Sequence, residues 1–543
     1  MKGRFKKRFL TISLLSLFAL SACSNAAQPT DSAPANTPSP AGGDKTIFVG
    51  INNPPATLNP INGKELASMR LSSILFETLL DLDEDMKFLP KLADSMETTD
   101  NQNFVIKLNP KANWTDGQPF TADDVVFTLQ LMANPKVIST GIQTLSVIDG
   151  LNDAGQLPEG QAEIKGIKIV DPHTLSVHTK EPVDLNYMKE KLGTEVRFLP
   201  KHVLKDVEPE KLHQHPFMQK PNVTDGAFTL VQFVKDQYVE FAANKSYYRG
   251  APKVNKLIFK IMPATNIVAQ LQTGEIQMNE PETSFIPIED YEKVKNMSNV
   301  TTVSAEPFDS QMMFINSSTL TDRKVRQAIA YAINRQMIVD NLLKGAGEVL
   351  DGPYTTVHPY YNKDVKHYPY DTQKAKQLLS ESGWDANKPI DLAVPVGNKA
   401  REQFAVIISE NLQAVGFKVK INKYDLPTLI QKGIKHEFDL LLLGLPFYLD
   451  PDVSNYYKTG GPYNFSNYSN PTVDSLIESG KKEASPGRRH VIYNQLSEIL
   501  QQDLPIFTLY GERPLLAISK KVKGAVPKLH GMLYNIHEWD IEQ

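Results

Sequence analysis

Residues 390–444 read IDLAVPVGNKAREQFAVIISENLQAVGFKVKINKYDLPTLIQKGIKHEFDLLLLG. Ile390 to Gly397 is a strand candidate. Arg401 to Val415 sets Phe404, Ile407, Ile408, Leu412 and Val415 at helical spacing, and Gly416 stops the helix as a C′ residue. Phe417 to Ile421 alternates with period two, and Leu426 to Lys432 is a short helix. Phe438 to Leu443 carries an apolar run of the kind covered on both faces. Strand, helix, strand, helix, strand predicts an α/β fold with a mostly parallel sheet and right-handed crossovers.

Ligands of open α/β sheets bind beyond the carboxyl ends of the strands. Here those ends are Gly397-Asn398-Lys399 and Gly444-Leu445-Pro446-Phe447-Tyr448. The second is aromatic and proline-containing, suited to an extended chain rather than a phosphate. Arg401 falls in the first turn of the following helix, where free N–H groups and the dipole favour an anion. Its fork can grip a carboxylate; the alternative is a solvated side chain paired with Glu402 or Glu410.

Upstream, Thr46 to Asn52 is a strand followed by a proline-rich turn. Ser72 to Leu82 is helix-like, with Ile74, Leu75, Leu79 and Leu80 at helical spacing. In Asn113 to Thr128, NWTDGQPFTADDVVFT, Thr121 stands three residues before Asp124 as a capping box. Asp123 and Asp124 read as first-turn carboxylates of a helix over about 122–132 rather than as acid/base groups. A turn and then a strand are expected over 222–233, strands at 256–261 and 309–316, and helices at 324–333 and 371–382. A further helix ends at Gly274.

The N-terminus is an address. Lys2, Arg4, Lys6, Lys7 and Arg8 precede an apolar run from Phe9 to Leu20, well short of the roughly 20 residues that span a bilayer. Leu20-Ser21-Ala22-Cys23 resembles a bacterial lipobox, with cleavage before Cys23 and lipidation of its thiol. Residues 1–22 are then a signal peptide and 23–44 a polar tether. Cys23 is the sole cysteine, so no intrachain disulfide and no cysteine-based metal cluster can form. The remaining body of about 500 residues exceeds one compact core. The full chain's net charge of −4, with both signs interspersed, does not point to nucleic acid.

The sequence contains no G-x-S-x-G elbow, H-E-x-x-H pair or Walker A loop. His213-Gln214-His215 lies beside Pro216 without a nearby carboxylate and reads as part of a solvent-facing loop rather than a metal pair. A distant carboxylate pair is unsupported. No cofactor is expected, and the chain reads as a binding protein rather than an enzyme.

NWTDGQPFTADDVVFT resembles the signature of the family 5 extracellular solute-binding proteins, the peptide- and nickel-binding class. PATLNPI (55–61), ILFETLLDLDED (74–85), GAFTLVQF, NKSYYRGAPKV, QTGEI, KVRQAIAYAINRQMIV, KAKQLLSESGW, Asp450-Pro451-Asp452 and YSNPTVDSLI follow in the family's order. LPKHVL, KPNVTDGAFTL and GNKAREQFAVIISENLQAVGFKVK resemble AppA-type oligopeptide binders of Gram-positive bacteria. The resemblance implies a two-lobed, three-domain body that closes on its ligand. One lobe would span 45–303, completed by 504–543, and the other 304–503, with crossings near Val303 to Gln311 and Asp503 to Phe507.

Position by position, the resemblance also implies ligand contacts at Lys64, Leu66, Asn279, Glu280, Pro281, Gln311, Met312, Phe507, Leu509 and Tyr510. They join Arg401, Gly444, Leu445, Phe447 and Tyr448. Peptide binders of this family often place an Asp in the loop before the Asp-Pro turn, to meet the ligand amine. Leu445 to Leu449 has no acid, which leaves Glu280 as the offered partner or leaves the amine unanchored. The implied function is capture of an oligopeptide for an ABC permease by a monomer held at the outer face of the membrane through its lipid. A nickel chelate, an oligosaccharide, an opine-like cargo or a pheromone-receptor role is the alternative.

Overall fold

The first lobe is built around a seven-stranded sheet. The computed structural model describes residues 45–542 apart from 64, 84, 447 and 530. The expected signal peptide, Cys23 and the tether lie outside the described residues. Thr46–Ile51 is central, parallel to both Lys256–Ile261 and Met278–Asn279. Ile47, Val49 and Ile51 are buried. Tyr238–Ala243 and Phe228–Val234 extend one side, and Leu515–Ser519 and Val300–Ser304 the other.

A four-stranded antiparallel sheet, ordered Ala93–Thr98, Asn103–Leu108, Thr174–His178 and Ile167–Asp171, lies in the same lobe. The Ala122–Ala133 helix packs against its edge, burying Val125, Leu129 and Met132. Its capping box forms: one Asp124 oxygen accepts the Thr121 N–H at 3.0 Å, and the other accepts the Lys201 N–H at 3.0 Å. Asp123 pairs with the Lys201 ammonium. Both first-turn carboxylates therefore have structural partners. His213 likewise braces loops, meeting Asn62 at 3.1 Å and accepting the Ile138 N–H at 3.0 Å.

The expected 72–82 helix does not form. The helix is Leu66–Ser72, and Leu80–Leu82 is a strand paired with Phe88–Pro90. Ile74, Leu75, Leu79 and Leu80 are all buried, but around a turn. The distant Asp225 carboxylate takes the Glu77 N–H at 2.9 Å. Lys91 holds Glu77 at 2.6 Å and Asp81 at 3.1 Å. Tertiary partners outweigh local periodicity here.

The second lobe is built on a six-stranded sheet ordered Gly347–Val349, Ile506–Glu512, Ser310–Ile315, Leu440–Leu445, Pro389–Pro395, Lys418–Tyr424. The last three are parallel, as the 390–444 pattern predicts. The Lys399–Val415 helix between two of them is capped by Asn398 and ended by Gly416 at φ 113°. Leu440 and Leu442 face one core and Leu441 the other, so the Leu run is covered on both sides. Ser310–Ile315 is antiparallel to both its neighbours. The sheet is therefore mixed rather than mostly parallel, because that strand enters directly from the other lobe and not over a helical crossover.

Between Val300–Ser304 in one sheet and Ser310–Ile315 in the other, the chain passes from sheet to sheet over 305–309. The return differs. Ile506–Glu512 still belongs to the six-stranded sheet, and the chain changes sheets at Arg513-Pro514. The end of the Pro486–Asp503 helix, with Leu504 at φ 50°, turns the chain into this strand and not out of the lobe. Among the described residues no helix is long and apolar enough to cross a membrane.

Candidate ligand-binding cleft

The strand ends singled out by the sheet argument converge. Gln311 is paired with Gly444 on one side and Tyr510 on the other, and the register shifts between Gln311 and Met312. A bulge of this kind re-aims a side chain. Gln311 Oε1 accepts a hydrogen bond from Arg401 Nε at 2.9 Å. Gly444 permits this approach, since a Cβ there would lie 2.9 Å from Gln311 Nε2 and 3.1 Å from an Arg401 terminal nitrogen.

Arg401 has no ion pair among the described residues. The expected alternative fails: Glu402 instead holds Lys423 at 2.6 Å and the Gly397 N–H at 3.2 Å. Burial pulls the Arg401 guanidinium below its ordinary value, against the opposing influence of Tyr510 and Glu512. Burial likewise pushes the nearby Glu512 carboxyl up.

Beside this group, Met312, Leu445 and Tyr448 line a cavity of about 60 Å³ together with Phe308, Ser310, Tyr354, Thr355, His358, Tyr456 and Tyr457. Two larger spaces, of about 580 Å³ and 340 Å³, lie between the lobes around Asp450 and Arg489. Tyr187 and Lys180 of the first lobe face Lys481 and Asp452 across the larger. Phe88 and Glu190 face Tyr360 and Pro451 across the smaller.

The lobes are joined by buried charges. Glu190 accepts the N–H groups of Leu449 at 3.3 Å and Asp450 at 2.6 Å. It lies in a π-helical turn, Lys189–Thr194, a distortion common at functional positions. Burial pushes its carboxyl up to about 7, with Lys191 opposing. Lys191 bridges Glu190 and Glu195 and stands 5.3 Å from the centre of the Tyr448 ring. Arg489 binds Asp450 at 2.7 Å and approaches Asp184 at 3.6 Å.

In the first lobe, Arg70 meets Glu280 at 3.2 Å and Glu282 at 3.3 Å. Burial raises the Glu282 carboxyl to about 7, and it feels Arg70, Glu280, Asp309 and Arg197. Burial and the neighbouring Arg70 lower Arg197 to about 10, and its Nε is enclosed without a hydrogen-bond partner.

Several expected contacts are placed otherwise. Glu280 is not available to a ligand amine, because its carboxylate accepts from Glu282 N, Thr283 N, Thr283 Oγ1 and Arg70. Asn279 is buried and accepts the Ala517 N–H at 2.8 Å, and Pro281 beside it is buried too. Phe507 and Leu509 belong to the core beneath the sheet, with Arg335 4.5 Å from the centre of the Phe507 ring. Tyr510 is buried and stacks on Phe404, though it adjoins Arg401. Leu66 is exposed at the start of its helix. Lys64 and Phe447 lie outside the described residues. The residues that sequence reasoning missed are Phe308, Tyr354, Thr355, Tyr456, Glu190 and Arg197. The Tyr456-Tyr457 pair just after Asp450-Pro451-Asp452 was a usable signal. Arg197 carried none, since its partners are distant in sequence.

Comparison with known proteins accounts for this arrangement. Residues 87–467 match the family described as bacterial extracellular solute-binding proteins, family 5 Middle. The chain is 27% identical to the oligopeptide-binding protein AppA of Bacillus subtilis, over 99% of each chain. The solved structure of that protein, in complex with a nonapeptide, superposes with a TM-score of 0.74 at 25% identity, covering 92% of this chain and 99% of the other. The substrate-binding protein CtaP of Listeria monocytogenes shares the fold, with a TM-score of 0.81 at 23% identity over 92% and 100%. The chain therefore belongs to the bacterial extracellular solute-binding proteins of family 5, and its two lobes are those of that fold.

Proposed function

We propose that this protein captures oligopeptides outside the membrane and delivers them to an ABC permease, without altering them. The observation that carries the reading is the Arg401–Gln311 pair. It presents a partly buried cation with no carboxylate partner beside an aromatic cavity at the strand ends. An extended peptide supplies what this site lacks: a carboxylate or backbone carbonyl for the guanidinium and side chains for the aromatic walls. The 27%-identical relative named for oligopeptide binding supports the same cargo. Arg197 is a second candidate contact for a ligand oxygen. No acid in the Leu445–Leu449 loop meets an amine, which favours a peptide held along its backbone over a dipeptide gripped at both ends.

The same reading places Cys23 as the lipidated anchor of a monomer, with lobes hinged at 305–309 and Arg513-Pro514. Mass spectrometry of cargo released from the purified protein tests the function: peptides are expected, intact and of several residues. A nickel chelate or oligosaccharide, or cleavage of added peptide, would replace it. Cys23→Ala is expected to move the protein from the membrane to the soluble fraction with peptide binding intact.

A further inference from the structure

The small cavity beside Met312 has on its wall a buried hydroxyl, that of Thr355, without a hydrogen-bond partner. Its volume is about 60 Å³. A water molecule occupies roughly 30 Å³ in the liquid, and a dry cavity of about 150 Å³ holds benzene. The space therefore fits two or three heavy atoms and not an aromatic ring. Three of its other polar wall residues are engaged. Asp450 holds Arg489 at 2.7 Å, Asp452 accepts the Ser454 N–H at 2.9 Å, and the Tyr354 hydroxyl donates to Pro451 O at 2.7 Å. Thr355 is 5% exposed, lines the cavity, and its hydroxyl has no partner. A buried hydroxyl left unmatched is costly, so a site containing one favours a ligand that answers it.

We infer that this cavity is a side-chain pocket selective for a serine- or threonine-sized residue of the bound peptide, with Thr355 hydrogen-bonding the ligand hydroxyl. The inference rests on the peptide reading above and adds a preference at one position. Aromatic walls enclose the methyl of threonine, and Thr355 separates threonine from isosteric valine. Phenylalanine is excluded by volume.

Competition titration of the full protein tests it, using a parent oligopeptide that binds and a set carrying Thr, Val or Phe at each position in turn. At one position Thr is expected to bind about tenfold tighter than Val, the yield of one hydrogen bond, and Phe weaker than both. Thr355→Val is expected to abolish the Thr-over-Val ratio while still excluding Phe, and Thr355→Ser to retain the ratio. Met312→Ala is expected to admit larger side chains at that position. A Thr-over-Val ratio near one at every position in the unaltered protein would overturn the hydroxyl reading. So would a ratio that survives in Thr355→Val. Phe binding as well as Thr at all positions would overturn the pocket while leaving peptide capture standing. Failure of every peptide to bind would overturn both.

Discussion

Arg489 and Arg401 both carry guanidinium groups withdrawn from water near the loop that runs from Gly444 to Asp452, and they are satisfied in opposite ways. Arg489 is 2% exposed. It binds Asp450 at 2.7 Å, donates to Gly480 O at 2.9 Å and approaches Asp184 at 3.6 Å. Tyr360 and Tyr493 flank it. Burial alone would lower it, but these partners hold it above its ordinary value. Arg401 has one neutral hydrogen-bond partner, Gln311, and burial leaves it lowered. A cation saturated by its own protein ties lobes together. A cation left short of partners has capacity for something from outside. Arg489 is therefore a fastening, and Arg401 is the contact we propose for a ligand anion.

Removing the fastening is expected to have the largest effect. Arg489→Met strips the countercharge from buried Asp450 and Asp184, and breaking a buried pair from one side costs about 3–5 kcal/mol. Denaturant unfolding should show that loss, and Arg401→Ala should show far less. If the two variants lost equal stability, the distinction between them would collapse.

Glu190 sharpens the comparison through pH. Its carboxyl is held up to about 7 across the lobes, against an ordinary value near 4.5. A group with a raised value binds its proton more tightly in the joined state. The cost of burying its charge is fully present above pH 7 and is lost as the pH falls toward 4.5. Lobe closure, followed by small-angle scattering with bound peptide, should therefore strengthen between pH 8 and 5, by at most roughly seventyfold. Glu190→Gln, permanently neutral, should flatten that profile. A steeper profile in the variant would contradict the assignment.

The smallest effect is expected at Asp123. Its side chain is 53% exposed and its partner Lys201 is 42% exposed. An exposed pair contributes about 0–1 kcal/mol, so Asp123→Asn should leave both peptide affinity and stability within that range. A large loss of binding would show that the acidic helix start reaches the ligand.

The 390–444 unit was legible because each of its signals is local. Asn398 caps, Gly416 stops, and the leucines sit on a strand covered on both faces. The end of that strand, at Gly444 and Leu445, follows from the same pattern. What escaped were features made by distant partners. Ser72 to Leu82 has helical spacing, yet Asp225 and Lys91 bend it into a turn and strand. The resemblance implies an exit from the lobe near Asp503 to Phe507, yet Leu504 and Pro505 lead into the Ile506–Glu512 strand of the same sheet. Glu280 stands in sequence as a free acid, but its own loop occupies one oxygen and the distant Arg70 the other. Glu190 contacts a backbone 259 and 260 residues away, which no spacing rule can reveal.

The claim that Arg401 is held open for a ligand carboxylate is tested most directly by a titration cycle. One oligopeptide, as free acid and as C-terminal amide, is titrated against the unaltered protein and Arg401→Ala. A charged hydrogen bond contributes about 1.5–3 kcal/mol, so the free acid should weaken roughly tenfold or more in the variant. The amide should lose much less. Equal losses for acid and amide would show that Arg401 does not read the carboxylate, and no loss for either would place it outside the site.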